Sequence, residues 1–393
     1  MGTKRLSITE LLLNAMLAFS IISVIRGIPA LENINKVWVA LLSVILVQRL
    51  FFFGYTLRQA VVLYVTIVIH IVALYFTEFP LYHVNSLFYF LLWVLTYVFF
   101  AKSKDRIQYQ LFFKDKFIHF VLWTWTIVVG ISACIPSCYD GMYFVSFAES
   151  SFRLMPAVLI IEALAMYMSI SRKNRRYEFF LIVPTYAAFM NSSRTYFVVY
   201  FVFFTMYLYM RVKSKRNFYL MLLPCIFLFV LLMSMSGIMD KVQSTKYTEN
   251  SYFDFWGTIS NGRTVFWKWD LDAFFDLPLW QQFVGNGFNF PYEVTDMHGG
   301  ALWAHNDIIN LLMNFGYIGV VVYIWAYVIL VRAYLPQGNK IPRMVRMLFH
   351  GAVWFNSMIN MSYTYLCAMI AYPFFLCAIS SCYIPLDGMW ETK

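Results

Sequence analysis

The chain has 393 residues, of which 61% are hydrophobic and only 13% are charged, whereas soluble domains carry about a quarter charged residues. A soluble fold could not bury this much apolar surface, and apolar runs of the roughly 18 residues needed to cross a membrane recur along the sequence. The formal net charge of +10 does not indicate nucleic acid as a partner, because the basic residues lie in the connections between the apolar runs.

The apolar runs predict an all-α polytopic membrane protein in which residues 1–393 form a single integral membrane domain. We expect about twelve transmembrane helices, near residues 8–25, 36–53, 59–76, 84–101, 117–136, 153–170, 178–192, 195–211, 217–236, 316–334, 344–361 and 364–383.

The basic residues predict how this bundle is oriented in the membrane. Most of the 30 Lys and Arg residues lie near the termini and in alternate connections, at 49–58, 102–116, 172–176, 211–216 and 332–346. Cytoplasmic loops are enriched in Lys and Arg. We therefore expect these connections and both termini in the cytoplasm.

Residues 237–306 form one long polar connection, which this orientation places on the extracytoplasmic side. Its aromatic residues and helix signals argue against disorder. Asn261 is a potential N-cap for a helix that runs to the stop at Pro278, with apolar residues at three- and four-residue spacing. A turn-rich segment at 285–291 follows, and a second short helical pattern ends at Gly316.

Arg194 stands at a predicted outer turn between two apolar runs, beside Ser192 and Ser193. A charged side chain at membrane depth is costly and by default marks a functional site, although an Arg near a helix end can also extend to water. The neighbouring hydroxyl groups offer further donors, so we favour an anion-binding role.

Two residues of the long loop offer complementary chemistry. Arg263 stands at the start of the predicted loop helix, where free N–H groups favour an anion, and a guanidinium matches phosphate oxygens in a bidentate way. His305, at the membrane end of the loop, suits proton transfer or hydrogen bonding near neutral pH, with His298 as the rival histidine. Taken singly, each is more often a surface or structural residue.

His70 and Glu162 fall inside predicted spans, which raises the alternative of a proton-coupled transporter with an intramembrane acidic site. Each side chain could instead be hydrogen-bonded inside the bundle. The sequence shows one such carboxylate and no clear inverted repeat of broken helices, so we rank transport behind a membrane enzyme.

The order of the motifs carries more information than any one of them. The motifs are Ser193-Arg194-Thr195, Gly262-Arg263 with Trp267, Gly285 to Phe288, and His305 to Gly319. This order resembles the O-antigen polymerase and O-antigen ligase superfamily of bacterial envelope glycosyltransferases, over roughly residues 180–335. The first six spans match only in being apolar.

The resemblance implies a fold similar to that of GT-C-like lipid-linked glycosyltransferases. It also implies glycan transfer from undecaprenyl diphosphate to a sugar hydroxyl at the outer face of the bacterial inner membrane, without a metal or cofactor. Arg194 and Arg263 would stabilise charge on the leaving group. His305 would either accept the proton of the attacking hydroxyl or hold the diphosphate. Trp267 and Trp303 would stack on sugar rings, although Trp at a membrane interface is common.

Three activities stay open on this resemblance. A polymerase would join undecaprenyl-diphosphate-linked oligosaccharide repeat units into O-antigen or capsular polysaccharide, with a chain-length regulator protein as a candidate partner. A ligase would transfer the glycan to lipid A-core. We favour the polymerase because the stretch that begins at Gly285 is more similar to capsule and O-antigen polymerases. A transporter or flippase of the same lipid-linked glycan would need sites near the membrane midplane, whereas these candidates lie at the surface.

Overall fold

The computed structural model describes residues 15, 17–25, 29–52, 55–77, 84–102, 115–134, 136–139, 142–145, 151–171, 174–190, 194–212, 214–235, 257, 260, 262–300, 303–334, 354, 356–365 and 367–369. These residues are mostly helical. The α-helices are α1 (Pro29–Phe52), α2 (Leu57–Phe76), α3 (Val84–Lys102), α4 (Asp115–Cys134), α5 (Ser151–Ser171), α6 (Ile182–Met190), α7 (Arg194–Arg211), α8 (Lys215–Met235), α9 (Arg263–Phe275), α10 (Leu279–Val284), α11 (Phe290–Met297) and α12 (Asp307–Tyr334). Short 3₁₀ helices span Ser20–Val24, Arg175–Leu181 and Ser362–Thr364.

The described helices follow the apolar runs of the sequence. Within the described ranges, four helical segments are long and apolar enough to cross a membrane, and these are Leu57–Phe76, Phe117–Cys134, Lys215–Leu232 and Asp307–Arg332. Shorter apolar helices lie at Lys36–Gln48, Phe88–Val98, Leu154–Met166 and Tyr196–Arg211. The prediction of an apolar helical protein is confirmed. The count of about twelve spans and the likeness to GT-C-like enzymes stay predictions. The spans expected at 344–361 and 364–383 fall largely outside the described residues, and the span expected at 8–25 is described only in part.

A two-stranded hairpin departs from the all-α prediction. β1 (Pro136–Tyr139) pairs antiparallel with β2 (Met142–Val145), and Tyr139 lies opposite Met142. The sequence carries a signal for it, because Asp140-Gly141 is a dipeptide favoured in two-residue hairpin loops. The aromatic and β-branched residues of β2 also favour a strand.

Helix α12 joins the membrane-spanning helices to the long loop. It packs against α2 and α3, and also against α10 and α9 of the loop. Trp93 of α3 stacks on Tyr323 of α12 with ring centroids 4.3 Å apart, and Phe315 of α12 lies 4.9 Å from His70 of α2. All four side chains are buried. Because α12 begins two residues after His305, this packing fixes the membrane end of the loop.

The first loop helix forms where the sequence predicts it, whereas α10 and α11 were not predicted. α9 begins at Arg263 and ends at Phe275, before Pro278, but its N-cap is Gly262, with φ of 80°, rather than Asn261, which lies outside the described residues. The capping acceptor is the Ser260 hydroxyl, which accepts from the Thr264 N–H at 3.1 Å. A hydroxyl that takes an early helical N–H satisfies one of the orphan donors of the first turn.

The predicted stop at Gly316 is a break inside α12 rather than its end. Gly316 has φ of 65° and ψ of −164°, which are not helical angles. A Cβ there would collide with the backbone of Gln282 and Phe283 at the end of α10. Only glycine allows both the positive φ and this close approach, so the end of α10 packs directly against the backbone of α12 at Gly316.

The turn-rich segment at 285–291 is fixed by contacts of its backbone. Gly285, with φ of 82°, presses on the backbone of Asn314, and the Asn286 N–H donates to the carbonyl of Met313 at 3.0 Å. Further on, the Phe288 N–H donates to the Thr77 hydroxyl at the end of α2 at 3.0 Å. The motif therefore anchors the loop to two helices of the bundle.

Candidate functional site

Hydrogen bonds on either side of His305 fix its backbone. The Trp267 indole N–H donates to the Ala304 carbonyl at 2.6 Å, and the Ala304 N–H donates to the side-chain oxygen of Asn310 at 3.3 Å. The side-chain oxygen of Asn306 accepts from the N–H groups of both Ile308 and Ile309. Asn306 is therefore the N-cap of α12.

His305 itself has φ of 48°, a left-handed conformation that costs a non-glycine residue about 1–2 kcal/mol. Such strain persists only where the surroundings impose it, and it concentrates at functional sites. Here the flanking hydrogen bonds of Ala304 and the Asn306 cap impose it. The strained backbone adds a structural reason to keep His305 as a candidate.

Arg263 lies close enough to His305 for its charge to act on the imidazole. Burial, together with the nearby charge of Arg263, lowers the pKa of His305 to about 4. Both effects act in one direction, because desolvation and a neighbouring cation each disfavour the imidazolium. At neutral pH the imidazole is therefore neutral, and it can accept a proton or donate a hydrogen bond.

Arg263 is oriented by a distant part of the chain. Its Nη1 donates to the carbonyl of Ile359 at 2.7 Å. Arg263 is also the first residue of α9, where the helix dipole adds to its own positive charge. An anion seated beside Arg263 would therefore meet a guanidinium, the start of a helix and a neutral imidazole.

A buried polar cluster lies behind this pair, and sequence reasoning missed it. Asp307 Oδ2 accepts from the Ser362 N–H at 3.1 Å and from the Tyr323 hydroxyl at 3.3 Å. The Ser362 hydroxyl contacts the side chains of Asn356 and Ser357, and all five residues are buried. Asn356 and Ser357 lie in a stretch read as a membrane span by its overall hydropathy. A polar face of Asn356 and Asn360 at helical spacing was the available signal.

The other aromatic and histidine candidates have defined neighbours. Trp303 packs against Phe288 and Tyr292, with ring centroids 5.4 and 5.9 Å apart, while the Trp267 N–H is engaged by the backbone. His298 stacks on Trp269 at 4.2 Å. Stacking of Trp267 or Trp303 on sugar rings stays a prediction.

Arg194 is placed only in part. It is the first residue of α7, as its position at a turn between two apolar runs predicts. Its side chain and the neighbouring Ser192 and Ser193 lie outside the described residues. Its role as a second cation stays a prediction.

The two titratable residues inside predicted spans lie apart from this site. His70 Nδ1 lies 2.6 Å from the Thr66 carbonyl of its own helix, as the structural alternative predicts. Glu162 of α5 is fully buried, and its carboxylate oxygens have no hydrogen-bond partner among the described residues.

Asp270 is a further buried carboxyl group, on helix α9 of the long loop. Burial raises its pKa to about 8, and neither oxygen has a hydrogen-bond partner in the described part of the chain. In the same part, no group of three His, Cys, Asp or Glu side chains could hold a metal ion. Asp270 is thus an isolated acid, largely protonated below its raised pKa.

Comparison with known proteins agrees with the order of the motifs. Residues 179–324 match the family model described as O-antigen ligase (Wzy_C). The match begins just before α6, ends within α12, and contains Arg194, Arg263 and His305. No curated protein matches the chain. The segment 179–324 is therefore similar to the O-antigen ligase family, in agreement with the resemblance to the O-antigen polymerase and ligase superfamily.

Proposed function

We propose that this protein is a metal-independent glycosyltransferase that transfers a glycan from undecaprenyl diphosphate to a sugar hydroxyl at the outer face of the bacterial inner membrane. The favoured reaction is polymerisation of lipid-linked repeat units into O-antigen or capsular polysaccharide. The observation that carries the proposal is the convergence of Arg263 and a neutral His305 at the membrane end of the loop.

The chemistry of the two side chains is complementary. Cleavage of a sugar–diphosphate bond develops negative charge on the leaving group, and fixed positive charge stabilises the transition state. Arg263 supplies that charge in a rigid fork suited to phosphate oxygens. Arg194 would add a second cation.

His305 has two candidate roles at this position. Arg263 and burial keep the imidazole neutral in the donor-free protein. A bound diphosphate would offset the charge of Arg263 and raise the proton affinity of His305, so that it could take the proton of the attacking hydroxyl. Alternatively, the neutral imidazole would donate a hydrogen bond to the diphosphate.

The packing of the loop supports an outer-face site within a single integral membrane domain. The segment 237–306, Thr77 and Ser362 are all expected on the extracytoplasmic side, and Phe288 of the loop bonds to Thr77. Ser362 in turn bonds to Asp307, at the start of α12. Contacts among these segments agree with cytoplasmic termini and a loop that rests on the bundle.

The test is glycan transfer by the purified chain in lipid nanodiscs, supplied with an undecaprenyl-diphosphate-linked oligosaccharide. We expect Arg263→Ala, Arg194→Ala and His305→Ala each to lose about 10²–10⁴-fold in turnover. Lysine at either arginine position should restore little, because it keeps the charge but not the fork. His298→Ala is the matched control and should stay near wild-type turnover, since His298 is stacked on Trp269.

The acceptor decides between the two enzymatic activities. Products that grow by whole repeat units on the lipid carrier indicate a polymerase, whereas transfer only to lipid A-core indicates a ligase, the activity that the family description names. A chain-length regulator would change the product distribution of a polymerase alone. Movement of the lipid-linked donor across the bilayer without its consumption would refute both activities.

A further inference from the structure

Arg263 and Asp307 bind the same short segment at two points. Residues 356–359 are helical, and the 3₁₀ helix Ser362–Thr364 follows. In the middle of this 356–362 turn, the Ile359 carbonyl accepts from Arg263 Nη1 at 2.7 Å. At its C-terminal end, the Ser362 N–H donates to Asp307 Oδ2 at 3.1 Å.

The interior of the 356–362 turn is tied together by side chains. Asn360 donates to the side-chain oxygen of Asn356 at 3.2 Å, and Asn356 donates to the Ser362 hydroxyl at 3.3 Å. The Ser357 hydroxyl also donates to that of Ser362, at 3.2 Å. A turn with this internal bonding moves as a unit, so a displacement at Ser362 carries the Ile359 carbonyl with it.

We propose that Asp307 is a positioning residue, which holds the 356–362 turn against the start of α12 so that the Ile359 carbonyl keeps Arg263 beside His305. This role of Asp307 rests on the proposed function, because it presumes that Arg263 and His305 act on a diphosphate donor. The physical linkage between the residues does not depend on that function.

Asp307 acts through other residues rather than on the substrate. Its side chain is fully buried, and one oxygen already accepts from both Ser362 and Tyr323. Loss of this acceptor leaves two buried donors unsatisfied, which favours a shift of the turn. A shift of about 1 Å at a reacting group can cost about 10²-fold in rate.

The effect of Arg263 on the pKa of His305 provides a readout of where Arg263 lies. A double variant, Arg263→Gln with Asp307→Ala, separates this effect from a loss of burial, which would add to the effect of Arg263→Gln. Arg263 lowers the pKa of His305, so an Arg263 that leaves its place lets that pKa rise toward its ordinary value. The other titratable groups around Asp307 are Tyr323 and Tyr363. Removal of an anionic Asp307 would by itself lower the pKa of His305, so a rise cannot come from the lost carboxylate.

The experiment measures acylation of His305 by diethyl pyrocarbonate, which reacts with neutral imidazole, between pH 4.5 and 8. The full-length protein is used, and the His305 peptide is quantified by mass spectrometry. Arg263→Gln should raise the pKa of His305, because it removes the neighbouring cation while His305 stays buried. Asp307→Ala should give a similar rise, and the double variant should rise no further than Arg263→Gln alone. Asp307→Asn, which keeps an acceptor oxygen, should stay close to wild type.

A matched pair at Ser362 tests the hydrogen bond without touching Asp307. Ser362→Pro removes the N–H donor, whereas Ser362→Ala keeps it. Met361, with φ of −92° and ψ of 82°, lies outside the α region that a following proline excludes, and proline is tolerated at the first position of a helix. We expect Ser362→Pro to raise the pKa of His305 more than Ser362→Ala. This pair carries the test if Asp307→Ala does not accumulate.

The outcomes separate this inference from the proposed function. An unchanged pKa of His305 in Asp307→Ala and Ser362→Pro, with a raised pKa in Arg263→Gln, overturns the positioning role. An unchanged pKa in Arg263→Gln overturns the underlying geometry. If wild-type protein transfers no glycan from the lipid-linked donor, the proposed function fails, while the acylation result still decides whether Asp307 positions Arg263. If transfer occurs, Asp307→Ala should lower turnover about tenfold or more, with Asp307→Asn restoring most of it.

Discussion

A shift from pH 7.5 to pH 5.5 tests the state of His305 directly. Burial and Arg263 lower its pKa from the ordinary 6.5 to about 4. With a pKa near 4, about 97% of the imidazole stays neutral at pH 5.5, whereas an ordinary histidine would be only about 9% neutral. If transfer needs neutral His305, the structure predicts nearly full activity at pH 5.5, against a loss of about tenfold for an unshifted histidine.

The assay is the initial rate of glycan transfer at low donor concentration, since kcat/KM reports the pKa values of the free enzyme. We expect a plateau from about pH 5 upward and the same profile in His298→Ala. A rate that falls by half near pH 6.5 would refute the burial of His305 beside a cationic Arg263. A rate that climbs steadily as the pH drops toward 4 would show that His305 acts as a cation, which would exclude the general base.

Three further predictions concern the fold and its orientation. Gly285→Ala should lower the melting temperature in detergent more than Gly299→Ala, because both positions have positive φ but only the first has backbone in the space of the new Cβ; equal losses would contradict this packing. Burial raises the pKa of Asp270 to about 8, so the unfolded chain releases this proton from about pH 4 upward while the folded chain retains it. Stability should therefore fall between pH 4 and 8 by up to roughly 5 kcal/mol, and Asp270→Asn should flatten this slope in thermal melts; a parallel slope would argue against a buried acid. A cysteine probe near Asp296 should react in intact cells and one near Arg175 only after the membrane is breached, and the reverse pattern would invert the proposed orientation.

Local signals were sufficient to predict several elements of the loop. The apolar spacing before Pro278 predicted α9, which the structure has as Arg263–Phe275. Gly316 was expected to interrupt a helical pattern, and it does so through its φ of 65°. These predictions succeed because a proline, a glycine and a three- to four-residue periodicity each act within a few residues along the chain. The functional roles that the residue types of Arg263 and His305 suggested stay predictions.

Contacts between distant segments were not accessible from one sequence. The bond from Arg263 to the Ile359 carbonyl and the bond from Ser362 to Asp307 depend on how the bundle packs, which no local pattern specifies. The amide and hydroxyl groups near Asn356 were also missed, because the apolar residues around them make this stretch resemble a membrane span. The N-cap of α9 was misassigned for a different reason, since several small polar residues precede it and only the geometry selects the Ser260 hydroxyl.

The bond between Asp307 and Ser362 has a consequence for the order of assembly. Residues 356–362 are synthesised after the loop and α12. Until then Arg263 lacks its bond to the Ile359 carbonyl, and Asp307 lacks its bond to the Ser362 N–H. A chain that stops before residue 356 would therefore contain the loop and α12 without either bond, so the surroundings of Arg263 are completed only when this late turn has been made.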